Sequence, residues 1–227
     1  MPPKKAFDSY RKRPIRSFVQ RTGRMTEAQK RAFDSLWQQY GIDFQAEALD
    51  LSAMFSRDVY RTLEIGFGAG TSLVETAGKY PEHDFLGVEV HEPGVGRCML
   101  EASEQDLSNI KLICHDAIEV LRDQLPEDSF DCINLFFPDP WHKKRHHKRR
   151  IVQAEFVTTL SSKLRSGGIF HVATDWPAYA EHIQDVFNQQ QQLRERAGEI
   201  PWRPATRFEN RGVKLGHNIW EKVFDKQ

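Results

Sequence analysis

From Arg61 to Asp175 short apolar runs alternate with amphipathic stretches, and that alternation leaves few folds open. RTLEIG, DFLGVEV, IKLICHD, FDCINLFF and IFHVATD read as strands. SLVETAGKY, GVGRCMLEASEQ, AIEVLRDQL and RRIVQAEFVTTLSSKLR read as helices, the last with Ala154, Val157, Leu160 and Leu164 on one stripe and Gly167-Gly168 as its stop. Strands separated by helices of about 10–18 residues imply βαβ units and a parallel sheet covered on both faces. A further helix is expected around Phe33, Leu36, Trp37 and Tyr40, ended by Gly41. The expected fold is therefore α/β, with no internal repeat.

Such sheets bind ligands at the carboxyl ends of their strands. Successive strands here end in or near Glu64, Glu89, Asp116, Asp139 and Asp175. One acid at a strand end is ordinary, because Asp and Glu start turns and cap helices. Five along one binding edge point to a site.

Gly66-Phe67-Gly68-Ala69-Gly70 follows the first of these strands and precedes a helix beginning at Thr71 or Ser72, where Ser72 and Glu75 have capping-box spacing. The glycines Gly66 and Gly68 let a ligand approach backbone near the positive end of a helix dipole. A dinucleotide site wants GxGxxG, but Thr71 stands where its third glycine belongs. Glu64 would repel a pyrophosphate and attract the amino group of S-adenosylmethionine. Glu89 suits the hydroxyls of a ribose and Asp116 an adenine amino group. The residues favour the methyl donor over NAD.

The most specific stretch is FFPDPWHKKRHHKRR, Phe136 to Arg150. An apolar strand ends at two prolines that bracket Asp139, then meets six Lys/Arg and two His in eight residues. The overall charge is zero, yet residues 1–31 hold ten Lys/Arg against Asp8 and Glu27, so the remainder is acidic. An acidic body with basic appendages is the footprint of a polyanion binder, although a solubilising tail or an Arg-rich presequence fits the charge pattern too. Residues 1–31 are expected to form a basic, mobile arm and residues 32–227 a single domain. Cys98, Cys114 and Cys132, an odd number without CxxC, read as reduced cytosolic thiols. His146 and His147 lack acidic or thiol partners at metal-ligand spacing, and no metal is expected. No run approaches the roughly 18 apolar residues of a membrane helix, nor is a secretory leader visible.

In order along the chain, EIGFGAG, GVEV, HDA, LFFPDPWHKKRHHKRR, HVATDW and TRFENRG closely resemble the bacterial tRNA (guanine-N7)-methyltransferases. RSFVQRTGRMTEAQ resembles that family's leading segment, so the likeness spans about residues 15–224. The resemblance implies a doubly wound, mostly parallel, seven-stranded Rossmann-like sheet of the class I methyltransferases. It implies methyl transfer from S-adenosylmethionine to N7 of a guanosine in the tRNA variable region, in the cytoplasm. By the same resemblance Glu64, Glu89, Asp116 and Asp139 contact the cofactor, with Asp139 also at the reaction centre. Lys143, Asp175, Thr206, Arg207, Phe208 and Glu209 touch the substrate nucleoside. Arg145, His146, His147, Lys148, Arg149 and Arg150 lie along the RNA. tRNA is the expected partner, with no membrane and no obligatory protein subunit.

Guanine N7 already carries an in-plane lone pair, so the chemistry asks for positioning and charge stabilisation before any base. Glu209 or Asp175 would pair with the guanine Watson–Crick edge, and Phe208 or Trp141 would stack on the base. Three other readings remain: a NAD-dependent oxidoreductase, an amino-methyltransferase of adenine or cytosine, whose Asn/Asp-Pro-Pro-aromatic signature PDPW resembles, and an RNA-binding protein on an inactive methyltransferase fold.

Overall fold

The alternation folds as expected into one sheet flanked by helices. The computed structural model describes residues 15–19 and 24–227. Helix α1 (Glu27–Tyr40) leads to strand β1 (Gly41–Ile42) and a short helix α2 (Leu51–Phe55). Then come β2 (Arg61–Ile65), α3 (Thr71–Lys79), β3 (Asp84–Glu89), α4 (Glu92–Glu104), β4 (Ile110–Cys114), α5 (Ala117–Glu119) and β5 (Phe130–Phe136). The remainder is α6 (Ala154–Lys163), β6 (Leu164–Thr174), α7 (Pro177–Asn188), β7 (Leu193–Glu195), α8 (Arg207–Lys214) and β8 (Trp220–Lys226).

The strand order is β1-β4-β3-β2-β5-β6-β8-β7. All pairings are parallel except those of β8, which runs antiparallel to β6 and β7. Among the described residues the sheet has eight strands rather than seven; the addition is β1, whose two residues pair with Leu112 and Ile113 and are too few to show a periodicity. The chain reverses its direction of travel across the sheet between β2 and β5, the switch point where open α/β sheets bind ligands.

Several local expectations shift by physical detail. α1 starts at Glu27, inside the stretch expected as an arm, because Thr26 and Gln29 form a reciprocal capping box. Residues 1–14 and 20–23 of that arm lie outside the described residues. α1 stops at Gly41, where a Cβ would meet the Trp37 ring at 2.0 Å. The Ser72–Glu75 capping box does not form: Gly70 is the N-cap of α3, and Ser72 turns inward, its Oγ unpaired. AIEVLRDQL makes only the short α5 and then a π-helical turn, Val120–Gln124, closed by Leu125 N–H on the Val120 carbonyl at 3.0 Å. The long basic-to-apolar helix is likewise shorter: Lys144–Arg149 is a 3-10 turn and α6 ends at Lys163. Gly167-Gly168 sits within β6, where the register against β5 shifts. A Cβ on Gly168 would lie 2.8 Å from the Arg165 carbonyl oxygen, so the glycines serve a bulge rather than a helix stop.

The core has two layers. Leu63, Ile65, Leu86, Val88, Ile133 and Leu135 face one side and pack with Val157 and Leu160 of α6 and Ile183 and Phe187 of α7. Phe85, Ile110 and Leu112 face the other, against α1, α3 and α4. Each fully buried large apolar side chain contributes about 1.5–3 kcal/mol, enough for these layers to hold the strand ends rigid. No helix among the described residues is long and apolar enough to cross a membrane. Cys98 and Cys132 are buried and Cys114 half-buried; burial pushes Cys132 up to about 12 and Cys114 to about 11, so these thiols are protonated at neutral pH.

Candidate active site

The first wall of the site is the glycine loop. Gly66, Gly68 and Gly70 all have left-handed backbones, with φ of 71°, 61° and 81°. Gly70 also needs to lack a side chain, since a Cβ there would stand 2.4 Å from Cys98 Sγ. Glu89, the last residue of β3, locks the loop in place. Its Oε2 accepts Gly68 N–H at 2.8 Å, and its Oε1 accepts the Val90 and His91 N–H groups at 2.7 and 2.9 Å. Burial raises its pKa and these three donors work against that rise.

Glu64 lies within β2, 5% exposed, next to Gly87 of β3 and Asn134 of β5. Burial pushes its carboxyl up to about 7, opposed by the charge of Arg203. Asp116 caps α5, Oδ1 accepting Ile118 N–H at 3.0 Å, with its pKa raised by burial.

The second wall is the loop after β5. Phe137 and Trp141 carry φ of 52° and 48°, left-handed values that bulky side chains rarely adopt. Asp139 stands between them, flanked by Pro138 and Pro140. Hydrogen bonds from outside hold this loop: Phe137 N–H donates to the Ala173 carbonyl at 2.8 Å, Arg150 Nε to the Pro140 carbonyl at 3.0 Å, and Trp141 Nε1 to the Ser17 carbonyl at 2.9 Å.

The basic turn divides into an outward and an inward face. Lys143, Lys144, Arg145 and Lys148 are exposed, and His146 and His147 are half-buried. Arg150, expected on the RNA, is instead 3% exposed, donating also to the Ala178 carbonyl at 3.2 Å. It buttresses the loop from beneath because the chain turns inward there to start α6. Arg149 also works inward. Its guanidinium lies 3.9 Å from the Trp141 ring centroid, and it donates to the Arg16 and Phe18 carbonyls at 3.0 and 2.7 Å. Trp141 is thus packed between Arg149 and the segment 15–19.

Across the opening stands α8. Thr206 and Glu209 form its capping box, readable from the T-x-x-E spacing. Glu209 Oε2 also accepts Arg203 Nη1 at 2.5 Å. Phe208 is 57% exposed and Arg207 is exposed. Asp175, just beyond β6, is hydrogen-bonded to His217 Nδ1 at 2.9 Å, and fits against α8 because Gly212 has no side chain; a Cβ there would be 2.8 Å from Asp175 Oδ2.

These walls enclose a cavity of about 700 Å³. Gly66, Gly68, Glu89, Asp116, Asp139 and Lys143 line it, as do His146 and Phe208. Ser17, Phe18 and Val19 form a wall that residue-by-residue reasoning did not foresee. Glu64 sits one residue behind the lining residue Ile65. Asp175, Thr206, Arg207 and Glu209, with Arg145, His147, Lys148, Arg149 and Arg150, stand outside the lining. Arg203, His171 and Glu221 were also missed; His171 and Glu221, polar residues on the paired strands β6 and β8, were the available signal.

Residues 59–222 match the model of a family described as "Putative methyltransferase". A tRNA (guanine-N(7)-)-methyltransferase of Serratia proteamaculans is 50% identical over 221 residues, covering 95% of this chain and 92% of that protein. One from Aeromonas hydrophila is 51% identical over 220 residues, covering 94% and 93%. Among solved structures, TrmN from Thermus thermophilus superposes with a TM-score of 0.53 at 18% identity, covering 78% of this chain and 47% of that one. Sheet order, glycine loop and family match together define a Rossmann-like class I methyltransferase. The identity to curated relatives narrows this: the chain belongs to the tRNA (guanine-N(7)-)-methyltransferase family.

Proposed function

We propose that the protein transfers the methyl group of S-adenosylmethionine to N7 of a guanosine in the tRNA variable region, in the cytoplasm. The observation that carries this reading is one cavity in which the glycine loop, Glu89 and Asp116 face Asp139 and Phe208. The variable-region position comes from the family resemblance.

The residues present fit the donor. Glu64 is a buried carboxylate beside a glycine cradle, suited to an ammonium group. Glu89 suits a ribose diol and Asp116 an adenine amino group. S-adenosylmethionine supplies, when bound, an electrophilic methyl on a sulfonium. Asp139 orients the base and stabilises the positive charge that grows on the guanine ring as N7 is alkylated. Glu209 Oε2 is shared between Arg203 and the Thr206 N–H, whereas Asp175 Oδ2 meets His217, and the lighter engagement favours Asp175 as reader of the guanine Watson–Crick edge. Phe208, exposed at the rim, is the better stacking platform, because Trp141 is held by Arg149 and Ser17.

Two basic ridges flank the opening: Lys143, Lys144, Arg145 and Lys148 on one side, Arg207, Arg211 and Lys214 of α8 on the other, all exposed. Each phosphate they neutralise adds about −0.7 to −0.9 to the slope of log K against log[salt].

The test is methyl transfer from labelled S-adenosylmethionine to an unmodified tRNA transcript, followed by nucleoside chromatography. Label is expected as 7-methylguanosine, with Asp139→Ala lowering the rate constant by about 10²–10³. Label on adenosine or cytidine would overturn the assignment of the base. Saturable NAD binding without methyl transfer would overturn the reaction.

A further inference from the structure

Arg203 belongs to none of the groups read from the sequence, yet two walls of the site, α8 and the loop after β5, meet on it together with strand β8. Its side chain is 8% exposed. Nε and Nη2 donate to Glu221 Oε1 and Oε2, each at 2.8 Å, a bidentate pair. Nη1 donates to Glu209 Oε2 at 2.5 Å and to the Pro204 carbonyl at 3.2 Å. From the sheet side, His171 Nε2 meets Glu221 Oε1 at 2.6 Å. The planar guanidinium also lies 5.0 Å from the Phe136 ring centroid and 5.7 Å from that of Phe137.

The connections form a continuous chain: His171 of β6, Glu221 of β8, Arg203, and Glu209 at the start of α8. Phe208, next to Glu209, lines the cavity from one side. Phe137 opens the strained loop that carries Asp139 on the other. We propose that Arg203 is a positioning residue, whose buried fork fixes the start of α8 and the entrance to the Asp139 loop relative to one another across the cavity. This rests on the functional reading above in taking those two elements as the substrate-facing walls. Arginine is required rather than lysine, because five donors in a rigid plane satisfy two carboxylates and a carbonyl while stacking on aromatic faces. A buried ion network of this kind is weak as a source of stability, since desolvation offsets its attraction. Its geometric value is larger, because misplacement by about 1 Å costs on the order of 10²-fold in rate. The same charge acts on Glu64, opposing the effect of burial.

The full-length protein with Arg203→Lys tests this. The variant keeps the charge and loses the fork. The single-turnover methyl-transfer rate should fall about 10- to 100-fold while S-adenosylmethionine affinity stays at the parent value. If Arg203 acts through Glu209, adding Glu209→Gln should cost no more than the worse single change. A rate equal to the parent's, losses that multiply, or a joint decline of Tm, cofactor affinity and rate would overturn the proposal. Should Arg203→Lys not fold, Glu221→Gln decides: it keeps the volume and loosens Arg203 from below, and an unaltered rate there also overturns it. Product analysis on the parent keeps the two ideas apart. A parent that makes no 7-methylguanosine defeats the functional reading, whereas a productive parent matched by Arg203→Lys defeats only the role of Arg203.

Discussion

Two loops leave the carboxyl edge of the sheet side by side, Gly66–Gly70 after β2 and Phe137–Trp141 after β5, and both pass through the left-handed region. The first does so with glycine, which bears no steric cost there. The second does so with phenylalanine and tryptophan, at a cost of about 1–2 kcal/mol each. The glycine loop therefore reaches its geometry without strain, and Glu89 then fixes it through Gly68 N–H at 2.8 Å. The Asp139 loop has its geometry imposed by distant parts of the chain: Ala173 of β6, Arg150 before α6, and Ser17 near the N-terminus. Both loops are held from outside, but only the one that carries the carboxylate has backbone strain for its surroundings to offset.

If that contrast holds, the largest loss comes from the support rather than the loop. Arg150→Ala strips the Pro140 and Ala178 carbonyls of their donor and is expected to cost about 3–4 kcal/mol in urea unfolding. A cost within experimental error would mean that the loop holds itself. Within the glycine loop the two ends should differ. Gly70→Ala adds a clash with Cys98 to the backbone strain, about 3 kcal/mol together, whereas Gly66→Ala, with open space at its Cβ, adds about 1–2 kcal/mol of strain alone. Equal melting temperatures for the two variants would remove the packing argument.

A gentler effect concerns Glu64. Its folded pKa, about 7, exceeds the ordinary value of 4.5, so the folded state binds the proton more tightly than the unfolded one. Stability of the ligand-free protein should fall as pH rises from 4.5 towards 7, and Glu64→Gln should flatten that slope in thermal melts. The smallest change is expected from Arg149→Ala. It should leave Tm nearly unaltered, expose the Arg16–Phe18 segment to limited proteolysis and weaken cofactor binding, because Ser17, Phe18 and Val19 lose their latch. A variant that loses RNA affinity alone would restore Arg149 to the RNA face.

Much of the candidate site's layout was legible because its signals are local. A strand, GxGxG and a helix in sequence place Glu64 and the glycines, and acids at the strand ends place Glu89, Asp116 and Asp139. Arg150 misled for a physical reason: within a run of cations nothing in the sequence distinguishes the one at which the chain turns inward. Ser72 misled likewise, since capping-box spacing is met there but Gly70 already ends the turn. Gly167-Gly168 has the composition of a helix stop, and only pairing with β5 makes it a bulge.

The sequence by itself determined the alternating fold, the acidic carboxyl edge and the family, because periodicity, turn chemistry and contiguous motifs are properties of neighbours along the chain. Tertiary structure alone decided which cations face solvent, that Ser17, Phe18 and Val19 wall the cavity, and that His171, Glu221, Arg203 and Glu209 form one chain of contacts. His171 and Glu221 are 50 positions apart in the chain, and the antiparallel register of β6 with β8 brings them within hydrogen-bond reach.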